Sequence, residues 1–280
     1  MSFNLNFNVM IDAQQVSIYG KSNQAHIDNS KPSVIFIHGV LNDHSVWDDV
    51  LSPLATSFLG GINVIAIDLP GHSHSTGQPP ASVEEAADTL LAWLDSAGIE
   101  RAALVGHSFG SLIALEAAAR APEFVTHVAL LGTASPMRVS PVLLEASVSD
   151  PMAAIEMVNN FSFSQKPPPP PDLMQHVFAQ SQQKPNESTP AASTNIFHIG
   201  LNACNTYQNA TSAITKVAAP LLFIVGDKDK MTPPKAAQVL VDAATQAGQS
   251  VTQVNVDAGH QMMAEVPLKI VHALQTFLQK

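Results

Sequence analysis

The stretch Gly106-His107-Ser108-Phe109-Gly110 follows a short apolar run, residues 102–105, and opens an alanine-rich apolar run, residues 111–121. This G-x-S-x-G pattern in a strand-turn-helix context is typical of a tight turn that presents the serine hydroxyl to solvent. Glycines are needed two residues before and after the serine, because side chains there would collide with the neighbouring strand and helix. On its own the pattern is a weak signal, since an ordinary turn at the start of a helix can carry it. Ser108 is therefore predicted to be a nucleophile only if a base and an acid follow it.

Suitable partners for Ser108 occur later in the chain. His260 lies in a Gly-His turn after a late apolar run, and Asp227 and Asp229 both follow the apolar run 221–225. Serine, then a carboxylate, then histidine is the chain order of one hydrolase architecture. From the residues alone, a small change in the turn would bring either carboxylate to His260, so both stay open at this point.

With these landmarks the chain resembles the α/β-hydrolase family. Two further family motifs are present, Phe36-Ile37-His38-Gly39 and Asp68-Leu69-Pro70-Gly71-His72-Ser73. The landmarks follow the family order and extend over nearly the whole chain. The resemblance implies a doubly wound, mostly parallel eight-stranded α/β sheet with a helical cap. It also implies an active site at the carboxyl ends of the strands.

The resemblance implies a role for each member of the triad. Ser108 is expected to be the nucleophile and His260 the general base. Family members carry Gly, two residues, Asp and then a nearby proline, and Gly226, Asp229 and Pro233 fit this pattern. We therefore expect Asp229 to hold His260 in the correct tautomer and to stabilise the imidazolium that forms during attack.

Further site residues are expected around the triad. The backbone N–H groups of Val40 and Phe109 are predicted to form the oxyanion hole. Substrate-pocket candidates are His107, Met137, Met231 and Met262.

No metal or other cofactor is expected. His72 and His74 belong to a His-Ser-His-Ser-Thr-Gly stretch that lacks the Asp-His continuation of a binuclear hydrolase motif. We identify no second cluster of ligand residues in the sequence.

Eight short apolar or alternating runs predict the strands, and those from the third onward are expected to be buried on both faces of a parallel sheet. The runs are Leu5–Val9, Val16–Tyr19, Val34–His38, Val64–Asp68, Ala102–Val105, Val128–Leu131, Leu221–Val225 and Val251–Val256. Helices are predicted between them, the clearest beginning after the capping residue Ser82 and ending at Gly98.

The regular pattern breaks between about residues 134 and 215. Five consecutive prolines, residues 167–171, cannot lie inside a helix or a central strand and predict a stiff connector. Because the family carries a helical cap at this place, we expect residues 134–215 to be a cap over the site. Residues 1–133 and 216–280 are then the core domain.

Composition limits the partners. Only 13% of the residues are charged and the net charge is -10, which disfavours nucleic acid and anionic membranes as partners. The chain shows no secretory signal pattern and no apolar run of about 20 residues that could cross a bilayer. The single cysteine, Cys204, cannot form an internal disulfide. A cytoplasmic location and a small-molecule substrate are expected, and composition does not specify the oligomeric state.

A serine nucleophile excludes mechanisms that begin with a carboxylate nucleophile. The expected reaction is acyl transfer to water from a carboxylic ester of small to medium size. A thioesterase, a C–C bond hydrolase, and a cofactor-free lyase or perhydrolase share the triad and stay open as alternatives. A module of another class, which binds a small ligand without turnover, also stays open.

Overall fold

A single eight-stranded sheet organises the molecule. The computed structural model describes residues 2–11, 14–183 and 195–279. The strands are β1 (Phe3–Ile11), β2 (Gln14–Ser22), β3 (Ser33–Ile37), β4 (Asn63–Ile67), β5 (Ala102–His107), β6 (Val125–Leu131), β7 (Leu221–Gly226) and β8 (Val251–Val256). Their order is β1-β2-β4-β3-β5-β6-β7-β8; β2 is antiparallel to β1 and β4, and the remaining neighbours are parallel. The predicted fold class is confirmed.

Helices cover both faces of the sheet. They are α1 (Asp48–Ser57), α2 (Val83–Ser96), α3 (Phe109–Arg120), α4 (Pro141–Ser149), α5 (Pro151–Ser162), α6 (Asp172–Gln183), α7 (Ile196–Thr206), α8 (Ala210–Ile214), α9 (Pro234–Gln246), α10 (Met262–Glu265) and α11 (Pro267–Leu278). One apolar cluster joins the sheet to α2, α3, α8 and α9, and a second joins its other face to α1, α10 and α11. Within the described ranges no helix is both long and apolar enough to cross a membrane.

The central strands are apolar because helices cover both of their sides. Every residue of β3, β4, β5 and β7 is buried. The prediction of burial on both faces is wrong for β8, in which Gln253 and Asn255 are exposed. These side chains are exposed because β8 is the last strand of the sheet and has one neighbour, β7.

The predicted capping of α2 is confirmed. The Ser82 hydroxyl accepts a hydrogen bond from the backbone N–H of Glu85 at 3.1 Å. The Glu85 carboxylate reaches back and accepts from the N–H of Ala81 at 2.8 Å. Gly98 follows the helix with φ of +68°, a conformation that glycine adopts without strain.

The segment between β6 and β7 contains four helices with an apolar cluster of their own. Helices α4 to α7 surround residues such as Leu143, Ile155 and Phe197, and Leu41 from the loop after β3 belongs to the same cluster. Prolines 167–171 connect α5 to α6, as predicted. Residues 184–194 of the predicted cap lie outside the described residues.

The end of this segment packs on the core instead of on its own helices. Ala210, Ala213 and Ile214 of α8 belong to the cluster around α3. The buried Glu116 of α3 accepts hydrogen bonds from the Tyr207 hydroxyl at 2.5 Å and from the Asn209 amide at 3.0 Å. These contacts fasten the chain to the core before it enters β7.

Candidate active site

Ser108 lies on a strained turn between β5 and α3. Its φ and ψ are 54° and -119°, values that a non-glycine residue rarely adopts and that cost roughly 1–3 kcal/mol. A Cβ atom at residue 106 would lie 2.1 Å from the Gly110 carbonyl oxygen, and one at residue 110 would lie 2.3 Å from the Ile37 carbonyl oxygen. Only glycine fits at both positions, which is the physical basis of the G-x-S-x-G pattern.

His260 and Asp229 are buried and hydrogen-bonded to each other. His260 Nδ1 lies 2.8 Å from Asp229 Oδ2. Because a carboxylate only accepts, the proton is on Nδ1 and the Nε2 atom keeps its lone pair. The other carboxylate oxygen accepts from the N–H groups of Met231 and Thr232, both at 2.8 Å, and the Thr232 hydroxyl donates to Oδ2 at 2.7 Å. Burial opposes the charge of Asp229, but His260 and these donors lower the pKa of its carboxyl.

The alternative acid, Asp227, points elsewhere. It is exposed and accepts a hydrogen bond from the Asn255 amide at 2.7 Å. The turn separates the two carboxylates because Asp229 is held by the backbone N–H groups that follow it. Of the two aspartates left open by the sequence, the structure brings Asp229 to His260.

The loop after β3 lies against the serine turn. A Cβ at residue 39 would be 3.1 Å from the Ser108 Cβ, so the backbone of this loop contacts the turn directly. In the described part of the chain, the N–H groups of Val40 and Phe109 donate to no protein acceptor. Both N–H groups are thus available for an oxyanion at this edge of the sheet.

His38 is hydrogen-bonded to the same loop. Its Nε2 accepts from the N–H of Leu69 at 3.0 Å, and its Nδ1 lies 2.8 Å from the Gly39 carbonyl oxygen. Because Nε2 accepts, Nδ1 carries the proton and donates to Gly39. Burial lowers the pKa of His38, which keeps the ring neutral.

His107 supports His260 through the main chain. Its Nε2 lies 2.9 Å from the His260 carbonyl oxygen and therefore donates, while Nδ1 is buried with no partner among the described residues. Burial and the neighbouring His260 lower the pKa of His107 to about 3, so its ring is neutral near pH 7. The sequence placed His107 at the pocket, but not in contact with the backbone of His260.

These groups meet at a cavity of about 270 Å³. Ser108, His107 and His260 line it, together with Met137 and Met231. The segment between β6 and β7 supplies most of the other apolar lining residues, namely Leu143, Met157, Val158, Phe161, Met174, Phe197 and Leu201.

The placement of Met262 at the pocket is corrected by the structure. Met262 is fully buried in the second core cluster and is not among the residues that line the cavity. It begins the short helix α10, which packs against α11 and the first helical turns after β3. Proximity to His260 in sequence was misleading because this turn directs the side chain into the core.

Sequence reasoning also missed a second histidine–aspartate cluster. His44 Nδ1 lies 2.7 Å from Asp68 Oδ1, and His74 Nδ1 lies 3.4 Å from Asp68 Oδ2. Ligand atoms of these three residues lie within 4.8 Å of one another, a spacing open to a metal ion. The Asp68 oxygens also accept from the backbone N–H groups of His44 and His74, at 2.8 and 3.1 Å. Through these hydrogen bonds the Asp68 carboxylate joins the loops that follow β3 and β4.

Comparisons with known proteins agree with this architecture. A family model described as alpha/beta hydrolase fold matches residues 32–265. Among solved structures, the enol-lactonase from Burkholderia xenovorans LB400 superposes with a TM-score of 0.77 and 19% identity, covering 98% of this chain and 100% of the other. At that identity the likeness concerns the fold.

Two curated relatives are similar over part of their length. A dihydrolipoyllysine-residue acetyltransferase component of the acetoin cleaving system of Cupriavidus necator is 38% identical over 100 residues, which are 35% of this chain and 26% of the relative. A pimeloyl-[acyl-carrier protein] methyl ester esterase of Neisseria meningitidis is 29% identical over 221 residues, which are 74% of this chain and 65% of the relative. The chain thus spans about a quarter of the first and just under two thirds of the second.

Proposed function

The chain belongs to the α/β-hydrolase fold family, and on that premise we propose that it is a serine hydrolase that cleaves carboxylic esters of small to medium size. The observation that carries the proposal is that the candidate catalytic residues lie together at one cavity. Ser108 on its strained turn and His260 bonded to Asp229 line one cavity. A nucleophile, an oriented base and a covered space for the acyl group are what acyl transfer requires.

The hydrogen bond between His260 and Asp229 supports the following mechanism. His260 Nε2 takes the proton of the Ser108 hydroxyl as its oxygen attacks the ester carbonyl, and the N–H groups of Val40 and Phe109 stabilise the oxyanion. The imidazolium, stabilised by Asp229, then protonates the departing alcohol. Water, deprotonated by His260, attacks the acyl-enzyme and releases the acid, and the proton returns to Ser108.

The ester class is supported by the cavity and by the relatives. The cavity walls are mainly apolar, and a partly enclosed cavity of about 270 Å³ selects substrates by volume. A relative that is 29% identical bears the name of a methyl ester esterase. We therefore expect short and medium acyl chains to be turned over, with a steep decline for longer ones.

We assign the wall formed by α4 to α7 the role of a cap. Its apolar residues line the same cavity as Ser108, and its own cluster includes Leu41 of the loop after β3. Residues 134–215 then act as the cap of a core that comprises 1–133 and 216–280, although α8 packs on α3. Substrate choice would reside in the cap, as expected of loops and inserts on a rigid scaffold.

The test is a Ser108→Ala variant assayed with chromogenic esters from acetate to palmitate and with a phosphonylating probe. We expect turnover to fall by about 10⁴-fold or more and labelling to disappear, while the folded state is retained. The matched control is Ser140→Gly, which removes another serine of the cavity that caps α4 and costs only a few tenths of a kcal/mol.

Three results would contradict the proposal. Undiminished ester turnover by Ser108→Ala would exclude the serine mechanism. Rapid cleavage of a vinylogous diketone with negligible ester turnover would favour the C–C hydrolase. Tight binding of a small ligand with no turnover of any ester would favour the non-catalytic module.

A further inference from the structure

The charged residues around the cavity are unusual for this chain. The described residues that line it include Arg138 and Lys230 and no aspartate or glutamate. The whole chain, by contrast, has 13 basic and 23 acidic residues. The cavity that holds Ser108 and His260 is thus bordered by positive charge in a protein of net charge -10.

Both cations are free to bind a ligand. Arg138 and Lys230 are exposed, and neither forms an ion pair within the described ranges. The nearest acidic residue in sequence, Asp229, is buried and bonded to His260 and Thr232. The charge of Lys230 is therefore not cancelled by a neighbour within the cavity.

The two cations come from adjacent loops at one end of the sheet. Arg138 follows β6 and Lys230 follows β7, and these strands are parallel neighbours. The loop after β6 is joined to the first turn of α9, which follows the loop after β7, because the Ser135 N–H donates to the Ala236 carbonyl oxygen at 3.2 Å. Each cation is next to a methionine that lines the same cavity, Met137 and Met231. This arrangement brings apolar walls and two positive groups to one ligand.

We propose, on the basis of the proposed esterase function, that the substrate is an ester that carries a carboxylate, bound at the cavity mouth by Arg138 and Lys230. The apolar chain of the substrate lies against the methionines and the cap, and the ester carbonyl lies at Ser108. A guanidinium presents a fork of donors that matches the two oxygens of a carboxylate, and an ammonium adds a point charge. A half-ester of a dicarboxylic acid has this combination of groups.

The experiment compares 4-nitrophenyl half-esters of C5 to C7 dicarboxylic acids with neutral isosteres that end in a methyl ketone. We expect the ratio of kcat/KM, anionic over neutral, to exceed one and to fall about fivefold for each cation removed in Arg138→Gln and Lys230→Gln. The ratio should also fall as salt is added, because the two charges are exposed. Lys216→Gln removes an exposed cation outside the cavity and should leave the ratio unchanged.

The outcomes separate this proposal from the esterase proposal. Turnover of neutral esters with no anionic preference, or a preference that survives in the double variant, overturns the carboxylate subsite and leaves the esterase intact. Inhibition by inorganic phosphate that equals inhibition by glutarate overturns the carboxylate in favour of a general anion site. If no ester is turned over, calorimetric titration with glutarate decides: binding lost in the double variant supports the subsite, and no binding overturns it.

Discussion

Two buried histidine–aspartate pairs in this molecule have nearly the same geometry and different surroundings. The distance from Nδ1 to the carboxylate is 2.8 Å for His260 and Asp229 and 2.7 Å for His44 and Asp68. Each carboxylate also accepts two backbone N–H groups. Of the two histidines, His260 lines the cavity with Ser108, whereas His44 packs against the ring of Tyr19.

An aspartate–histidine hydrogen bond does not by itself identify a catalytic site. The bond fixes a ring and its tautomer in both places. What differs is the surroundings of the ring: His260 lines the cavity that Ser108 also lines, whereas the ring of His44 packs against Tyr19. Matched substitutions in the two pairs can therefore separate chemistry from structure.

The largest expected difference is in turnover. Asp229→Asn should reduce kcat by about 10⁴-fold, because the amide can no longer hold the tautomer or stabilise the imidazolium. Asp68→Asn makes the same chemical change in the other pair and should leave kcat within about tenfold. The assay is ester hydrolysis under saturating substrate, with Asp227→Asn as the exposed control. An equal loss in both asparagine variants would show that the distinction between the pairs is wrong.

Stability should not distinguish the pairs. Both carboxylate side chains are fully buried, so each asparagine variant should lose ~1.5 to 3 kcal/mol of unfolding free energy, the contribution of a hydrogen bond to a charged group. Urea denaturation measures the loss, and Asp257→Asn, in an exposed pair with Lys228, is the control expected to show little change. A stable Asp68→Asn variant would mean that the His44 pair does not hold the loops together.

The smallest expected effect is the pH dependence of the His44 pair. Although burial opposes both charges, the contact raises the pKa of His44 and lowers the pKa of Asp68; Asp43 reinforces and Lys21 opposes the charge on His44. The His44 contribution is complete below its unfolded pKa and is lost as pH rises through the raised value. The Asp68 contribution is present above its unfolded pKa and is lost as pH falls through the lowered value.

The pair should therefore stabilise the protein most between about pH 4 and 6.5, the ordinary pKa values of the two side chains. The measurement is the unfolding free energy of the wild type and of His44→Gln from pH 4 to 9. The difference between them should be greatest near the acid side of neutrality and should shrink toward pH 9. A difference that grows with pH would contradict the assigned charges.

The two pairs differ in how far local sequence points to them. Ser108 and His260 lie in local patterns, a glycine-flanked turn and a Gly-His turn. The backbone conformation of each turn restricts which residues can flank it, so the pattern is visible in the sequence. The central strands were predictable because burial between helices demands continuous apolar runs, whereas the first strand was predictable from its alternating pattern. His44 and Asp68 lie 24 residues apart in two different loops, and no local pattern joins them.

Two points that local sequence did not settle, the choice of the aspartate and the placement of Met262, have physical causes. Sequence could not choose between Asp227 and Asp229 from the turn itself, because the choice depends on the N–H groups of Met231 and Thr232. Met262 was misplaced because the single helical turn α10 rotates its side chain into the core. Some contacts depend on the direction of a turn or on which loops pack together. Tertiary structure determines these contacts, and local sequence patterns do not predict them.

The end of α5 and the residues that follow it are hydrogen-bonded to the segment around His260, and these bonds have a consequence for protein engineering. The Gln261 N–H donates to the Ser162 carbonyl oxygen at 3.0 Å, and the Ser164 N–H donates to Glu265 at 2.9 Å. Glu265 also accepts from the N–H of Gly259, next to His260. The segment between β6 and β7 therefore also supports the turn that holds His260. A chimera that replaces this segment must keep both bonds, the one to the Ser162 carbonyl oxygen and the one to the Glu265 carboxylate, or the turn that holds His260 will lose part of its support.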